Sequence, residues 1–407
     1  MKKTRKQMVS IALVLAMMTG TLAGCGSTAE SQDAGSAPAE SADTSAAGTA
    51  AVAGDLSVES LGIEFLVPDG DMIPDIPADY DGRPSTSVPD FAETLTSEEL
   101  EKVVNGSYTA VFCTFDGESA WGRSMSAAVK STLEKLNIEL LASTDGSHDV
   151  QSCVENFESA MQLKPDVAII VSMDPGAEKQ GWDEAIANGT KLVFVQNVPN
   201  DYVCNEDYYG MVVPDNYTQN YVGSRQMLES VQEGEVVYIN ITYDNFENRI
   251  RQVAFADACK EFPNITQLDT ATVMSIEEAA SFAESMAQTH PELKGVSGLY
   301  DELVMAAVNS MNGLGMDVKG GTNGISELSA LSMIQGTGYI GSGTEAAYDM
   351  GCAAALLAAA SLAGVECPEV LVTPTVVINK DNIEEAWYKT YHEELPDNLK
   401  TALEASK

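Results

Sequence analysis

After Gly106 the chain settles into a regular alternation. "SYTAVFCTF", "IELLAS", "DVAIIVS", "KLVFVQ" and "YYGMVV" are short apolar runs, and helix-like stretches separate the first four. In the first of these helices Met125, Val129, Leu133 and Leu136 fall on one face, the spacing of an amphipathic helix. Apolar strands alternating with amphipathic helices predict parallel sheet covered on both faces. A second series follows in "GEVVYINIT", "ITQLDTATV", "LKGVSGLY" and "MDVKGG", with helices expected at 246–260, 276–289 and 302–314. The long apolar stretch "AAYDMGCAAALLAAASLAG" reads as a further helix, followed by "EVLVTPTVVINKDNI". Two successive series of this length predict an α/β fold of two doubly wound parallel-sheet lobes rather than one oversized sheet.

The part before Gly106 is patterned differently. Lys2, Lys3, Arg5 and Lys6 precede "IALVLAMM" and then small residues, the order of an export signal. The apolar run is shorter than the roughly 20 residues that a bilayer span needs. Leu22-Ala23-Gly24-Cys25 resembles the lipobox of bacterial lipoproteins, which implies cleavage after residue 24, lipidation of Cys25 and stable anchoring by more than one acyl chain. Residues 25–55 are Ala, Ser, Gly, Thr and acids with little to bury, a disordered linker whose root-mean-square reach is about 30 Å. Within residues 56–105, "LGIEFLVP" suits a strand and "TSEELEKVV" a helix opened by a capping Thr or Ser; no fold is assigned to the segment as a whole.

Charge narrows the function classes. The chain of 407 residues carries a formal net charge of -39, and loss of the basic leader makes the remainder more acidic still. Nucleic acid is excluded as a partner, because phosphate binding needs a basic surface. The six cysteines beyond Cys25 lack a disulfide-scaffold spacing or a C-x-x-C pair and read as small core residues. With three histidines and no H-E-x-x-H, no metal site or zinc hydrolase is expected. Asp69, Asp71, Asp75, Asp79 and Asp81 lack the Gly and terminal Glu of an EF-hand loop.

Open α/β sheets bind ligands beyond the carboxyl ends of their strands. The residues there are Asp116 and Trp121, Ser172, Gln196 and Asn197, and in the second series Arg249, Tyr300 and Asn323. Planar polar groups with an aromatic face suit a polyhydroxylated ligand. Plainer roles compete: Trp121 as packing, Arg249 as a surface ion pair, and Ser172, Asn216 and Asn323 as turn or helix caps. No nucleophile elbow, phosphate loop or Ser-His-Asp arrangement is legible, so neither an enzyme nor a bound cofactor is expected.

From about Gly106 to Ile383 the chain resembles the type I periplasmic binding proteins, in particular the ribose- and galactose-binding branch. The stretches that carry the likeness are "KLNIELLASTDGSHDVQSCVENFESAMQLKPDVAIIVSMDP", "VVPDNYTQNYVGSRQML", "NRIRQVAFADACKEFP", "HPELKGVSGLYDELVMAAV" and "VTPTVVINKDNI". The resemblance implies two lobes, residues 106–214 plus 345–374 and residues 215–344 plus 375–407. A three-strand hinge near Pro214, Thr344 and Thr375 would join them, with a ligand cleft between. By position it implies that Trp121 sandwiches a sugar ring, that Ser172, Asn216 and Arg249 face the ligand, and that Glu345 stands where ribose-type receptors carry a glutamine. Departures also appear: Gln196-Asn197 replaces Asp-Arg, Tyr300-Asp301 replaces Asn-Asp, and Asn323 replaces an aspartate. Amides form weaker bonds to hydroxyls than ionised groups do, so a carbohydrate-like ligand is expected and ribose itself is not. The implied function is a monomeric solute-binding lipoprotein, anchored outside the cytoplasm, that serves the permease of an ABC transporter. The alternatives are a sensory receptor on the same fold and a cell-surface hydrolase.

Overall fold

The computed structural model describes residues 55–66, 79–80, 82–241 and 246–406. Cys25 and most of the linker lie outside the described residues, as do Asp69, Asp71, Asp75 and Asp81. Two sheets organise the chain. The first holds β3 (Thr109–Thr114), β4 (Glu139–Asp145), β5 (Val167–Val171), β6 (Lys191–Val195), β7 (Met211–Pro214) and β14 (Val370–Thr373), all paired in parallel. Their order is β14-β7-β6-β5-β3-β4. The second runs β10-β8-β11-β12-β13-β15, from β8 (Gly234–Ile241), β10 (Ala271–Val273), β11 (Leu293–Gly298), β12 (Lys319–Asn323), β13 (Tyr339–Glu345) and β15 (Thr375–Asn379). Only β13 and β15 pair antiparallel there.

The alternation of apolar runs is what makes these sheets parallel: every residue of β5 and β7 is buried, as expected where helices cover both faces. α3 (Ala120–Lys135) lays Met125, Val129 and Leu133 into the first core, and Leu136 follows them at its C-cap. α7 (Phe246–Lys260), α8 (Ile276–Thr289) and α9 (Asp301–Gly313) fall within one residue of the expected spans. α11 (Ala347–Ala363) is apolar all round and correspondingly buried all round, the mark of a central helix. Its Gly351 lets α3 come close, since a Cβ there would stand 2.6 Å from the Met125 carbonyl oxygen.

The chain crosses between the sheets three times. It leaves β7 for α6 (Asn216–Val231), leaves β13 for α11, and passes from β14 to β15 through Pro374 alone. The crossings lie side by side. Asp215 N–H donates to the Thr373 carbonyl at 3.3 Å, Thr375 Oγ1 donates to the Asp215 carbonyl at 3.5 Å, and Glu345 pairs with Thr375 in the sheet.

The segment before β3 joins the first lobe. β2 (Arg83–Ser87) pairs parallel with β14 and so extends the first sheet, and the two-residue β1 (Asp79–Tyr80) pairs antiparallel with β2. α1 (Val88–Thr94) and α2 (Ser97–Val104) follow, α2 opened by a capping box of Thr96 and Glu99. Val88, Phe91, Leu100 and Val103 are buried in the same core as α11. "LGIEFLVP" is not a strand over its described residues. Ile63 is buried there, while the Leu66 N–H donates to Asp349 of α11 at 2.6 Å. "ITQLDTATV" is broken into β9 (Ile265–Gln267) and β10, both paired with β8. All six described cysteines are free, and burial pushes the Cys352 and Cys367 thiols up to about 12.

Candidate functional site

Four of the expected residues, with one more that sequence reasoning passed over, meet around the crossing strand β13. Glu345, its last residue, keeps some exposed surface, yet protein atoms crowd the carboxylate. Its pKa is raised to about 7, mainly by burial; Arg251 lowers it, Glu247 raises it, and the Trp121 indole N–H favours the ionised form. Gln196 Nε2 approaches the Glu345 carboxylate from the first lobe at 3.5 Å, at the limit of a hydrogen bond. Gln196 itself has φ 68°, in the left-handed region that side chains usually avoid. Such backbone conformations gather at functional sites.

Trp121 opens α3 just beyond β3. Its ring touches both apolar cores, stacking on Phe115 with centroids 6.1 Å apart. The indole N–H is buried and makes no hydrogen bond of standard geometry, although it lies close enough to Glu345 to affect its ionisation. From the second lobe Arg251 Nη2 donates to Asn216 Oδ1 at 2.5 Å, and Nη1 lies 3.5 Å from the Leu299 carbonyl. The Arg251 Nε–H is buried without a partner. Asn216 is itself buried in the first turn of α6, which Asp215 caps through the Thr218 N–H at 3.0 Å.

The remaining candidates have structural work. Asp116 accepts from Ser119 N at 3.1 Å and Ser119 Oγ at 2.5 Å, which shapes the turn into α3. Ser172 Oγ donates to Glu178 Oε1 at 3.0 Å, and the same oxygen takes the N–H groups of Met173 and Asp174. Ser172 thus helps seat α5 (Pro175–Ala187). Asn197 Nδ2 reaches the Ser172 carbonyl at 3.4 Å. Tyr300 stands at the N-cap of α9 with its ring against the second core. Asn323 does not cap the following helix. Ser326 does, and Asn323 Oδ1 accepts from the buried Asn220 at 3.2 Å. Arg249 is exposed and lies about 200° round α7 from Arg251, because a helix turns about 100° per residue. The arginine that the structure ties to Asn216 is therefore Arg251. The Arg-x-Arg pattern was visible in the sequence, but spacing alone did not say which arginine turns inward.

Two lobes that meet at three adjacent crossings, with polar groups from both gathered on the crossing strand, define a hinged two-lobe binding fold. The model of the periplasmic binding protein domain matches residues 110–366, and the chain belongs to that family, with the type I fold. No curated protein sequence matches the chain. Solved structures are similar over about seven-tenths of the chain. An ABC transporter solute-binding protein from Agrobacterium vitis bound with alpha-D-tagatopyranose shares 17% identity at a TM-score of 0.60, covering 71% of this chain and 100% of that one. An arabinose-binding protein from Geobacillus stearothermophilus shares 14% at a TM-score of 0.62, covering 69% and 99%. A solute-binding protein from Actinobacillus succinogenes with bound D-allose shares 18% at a TM-score of 0.57, covering 68% and 98%.

Proposed function

We propose that this chain is the solute-binding component of an ABC transporter, a monomer that captures a sugar or sugar-like polar molecule between its lobes and delivers it to a membrane permease. The observation that carries the reading is the convergence of two buried donors from opposite lobes on the Glu345 carboxylate, the Trp121 Nε1–H, which makes no hydrogen bond of standard geometry, and the unpartnered Arg251 Nε–H. Buried polar groups are rarely left unpaired. A hydroxylated ligand answers both needs, since each hydroxyl accepts from the donors and donates to the carboxylate. The indole face covers C–H groups of the ring. Asn216 holds the Arg251 guanidinium, and Gln196 approaches Glu345 from the other side. Closure about the hinge brings these contacts together, so the ligand favours the closed state by its differential contacts. Sugars or polyols in the similar solved structures, tagatopyranose and allose among them, support the ligand class. The lipobox at Cys25 supports a lipid anchor outside the cytoplasm, with residues 26–55 as the tether.

A thermal-shift screen of pentoses, hexoses, polyols and nucleosides tests the binding reading. A true ligand at 100 times its dissociation constant stabilises by about 2.7 kcal/mol and raises the melting temperature by a few degrees. A screen in which no sugar or polyol shifts the transition counts against a sugar-like ligand. Mass spectrometry of the mature amino terminus tests the anchor, and an unmodified residue other than Cys25 there would overturn it.

A further inference from the structure

The two lobes also touch through side chains outside the three crossing strands. Arg123, in the first turn of α3, forms a two-pronged ion pair with Glu393, Nε to Oε1 at 3.2 Å and Nη2 to Oε2 at 3.0 Å. Arg123 Nη1 donates to the Glu118 carbonyl at 2.6 Å, which fixes the guanidinium plane. Glu393 follows α12 (Ile383–Tyr391), whose Ile383, Ala386, Trp387 and Tyr391 are buried in the second core. Beside it His392, the C-cap of α12, stacks on Tyr348 of α11 with centroids 3.6 Å apart and planes 3° from parallel. Tyr388 also stacks on His392, with centroids 5.2 Å apart. Tyr348 is steadied in turn by Ser131 of α3, 3.0 Å from its hydroxyl.

α3 and α11 belong to the first core and α12 to the second, so both contacts join the lobes. His392 has φ 50°, a conformation uncommon for a residue with a Cβ. It presents the imidazole to Tyr348 and the next residue to Arg123. Neither contact involves Trp121, Arg251 or Glu345.

We infer that the turn Tyr388, His392 and Glu393 is an interlobe clasp, which holds the lobes together in the absence of ligand by gripping Arg123 and Tyr348. An exposed ion pair adds little to folding stability. The gap between open and closed arrangements of one fold is small, however, and a bidentate pair next to a ring stack is enough to bias it. The clasp lowers the entropic cost of capture by keeping much of the ligand-free population near the closed geometry.

Small-angle scattering on the purified ligand-free protein tests this without knowledge of the ligand. Arg123→Glu should raise the radius of gyration above that of the wild type by more than the replicate error. The charge-swapped double variant Arg123→Glu with Glu393→Arg should bring it back. Tyr348→Ala should also expand the protein, whereas Tyr348→Phe, which keeps the ring and drops the hydroxyl, should not. Circular dichroism melts identify any variant that fails to fold, and Tyr348→Ala and Arg123→Glu are independent enough that either one folding suffices. Single variants with wild-type dimensions, or a double variant that stays expanded, would overturn the clasp. Loss of sugar binding in the screen above would leave this result untouched.

Discussion

Helices α6 and α11 hold equivalent places, each entering a lobe directly after a crossing strand, and they are built in opposite ways. α11 is buried by small apolar side chains, chiefly alanines, against α3 and the first sheet. α6 buries Asn216, Thr218, Gln219, Asn220, Ser224 and Gln226 instead. Asn220 Nδ2 donates to the Gly298 carbonyl and Thr322 Oγ1, both at 2.9 Å, and to Asn323 at 3.2 Å. Ser224 bonds Ser297 at 2.8 Å, and Gln226 links the Ser342 carbonyl to Asn379, each at 3.2 Å. α6 is thereby stitched to β11, β12, β13 and β15. Shape positions α11, and direction positions α6. Hydrogen bonds specify a helix's register and rotation more sharply than contact between small apolar groups does, and α6 is the helix that presents Asn216 to Arg251.

The sharpest way to break this contrast is Asn220→Leu. It removes the amide donor shared by the Gly298 carbonyl, Thr322 Oγ1 and Asn323 Oδ1, which keep only the bonds that Thr322 makes to the other two, and should cost about 1–3 kcal/mol in chemical denaturation. An equally stable variant would show that α6 is held by packing after all.

A second test uses charge at the start of α11. Asp349 and Glu345 both have pKa values raised to about 7, chiefly by burial. The folded protein therefore keeps protons that the unfolded chain has lost between about pH 4 and pH 7. Stability is greatest at the acid end of that window and falls as pH rises through it, by up to about 3 kcal/mol for Glu345 and about 4 kcal/mol for Asp349. Asp349→Asn should flatten the decline in melting temperature from pH 5 to 7, and an unchanged slope would contradict the assignment.

Arg251 provides the third test. Arg251→Ala should weaken ligand binding by about 1.5–3 kcal/mol in titration calorimetry, because it removes a charged donor and its bond to Asn216 Oδ1. Arg249→Ala should cost less. The reverse order would return the ligand contact to Arg249.

The smallest effect is expected at Gly351→Ala. The added methyl presses on the Met125 carbonyl and the Ala128 Cβ, for a cost of about 1–3 kcal/mol in the melting transition. A neutral result would mean that α11 has room to shift, which would weaken the claim that shape alone places it.

The sequence exposed those parts of the fold whose periodicity coincides with burial. α3 and α8 were legible because one apolar face recurs at helical spacing, and β5 because both faces are covered. β13 was not legible from its apolar pattern, and only the resemblance placed a crossing strand near Thr344. "YIGSGTE" has few branched residues, and Gly343 is there because the Gln219 carbonyl oxygen of α6 would stand 2.3 Å from a Cβ. Its strand character comes from neighbours distant in sequence. The same holds for Ile63–Leu66, where a tertiary bond to Asp349 takes the place of a ladder. At the site, Trp121, Asn216 and Glu345 were legible by position, and the structure brings them together with Gln196. Arg251 was not, because the rotation of α7 depends on packing rather than on local pattern.

Pro374 has a mechanical consequence. A single residue separates β14 from β15, so the two strand ends never move more than about two Cα spacings apart. At that point the lobes pivot but do not slide. The pyrrolidine ring locks one of the two backbone torsions there, which leaves rotation to its ψ and to the flanking threonines. With Asp215 bonded to both sides of the joint, the swing axis runs close to Pro374. Glu345, paired with Thr375 beside that axis, is displaced least when the lobes swing. In the closure proposed above, Trp121 on α3 and Arg251 on α7 are carried by opposite lobes, so the Glu345 carboxylate is the reference against which they move.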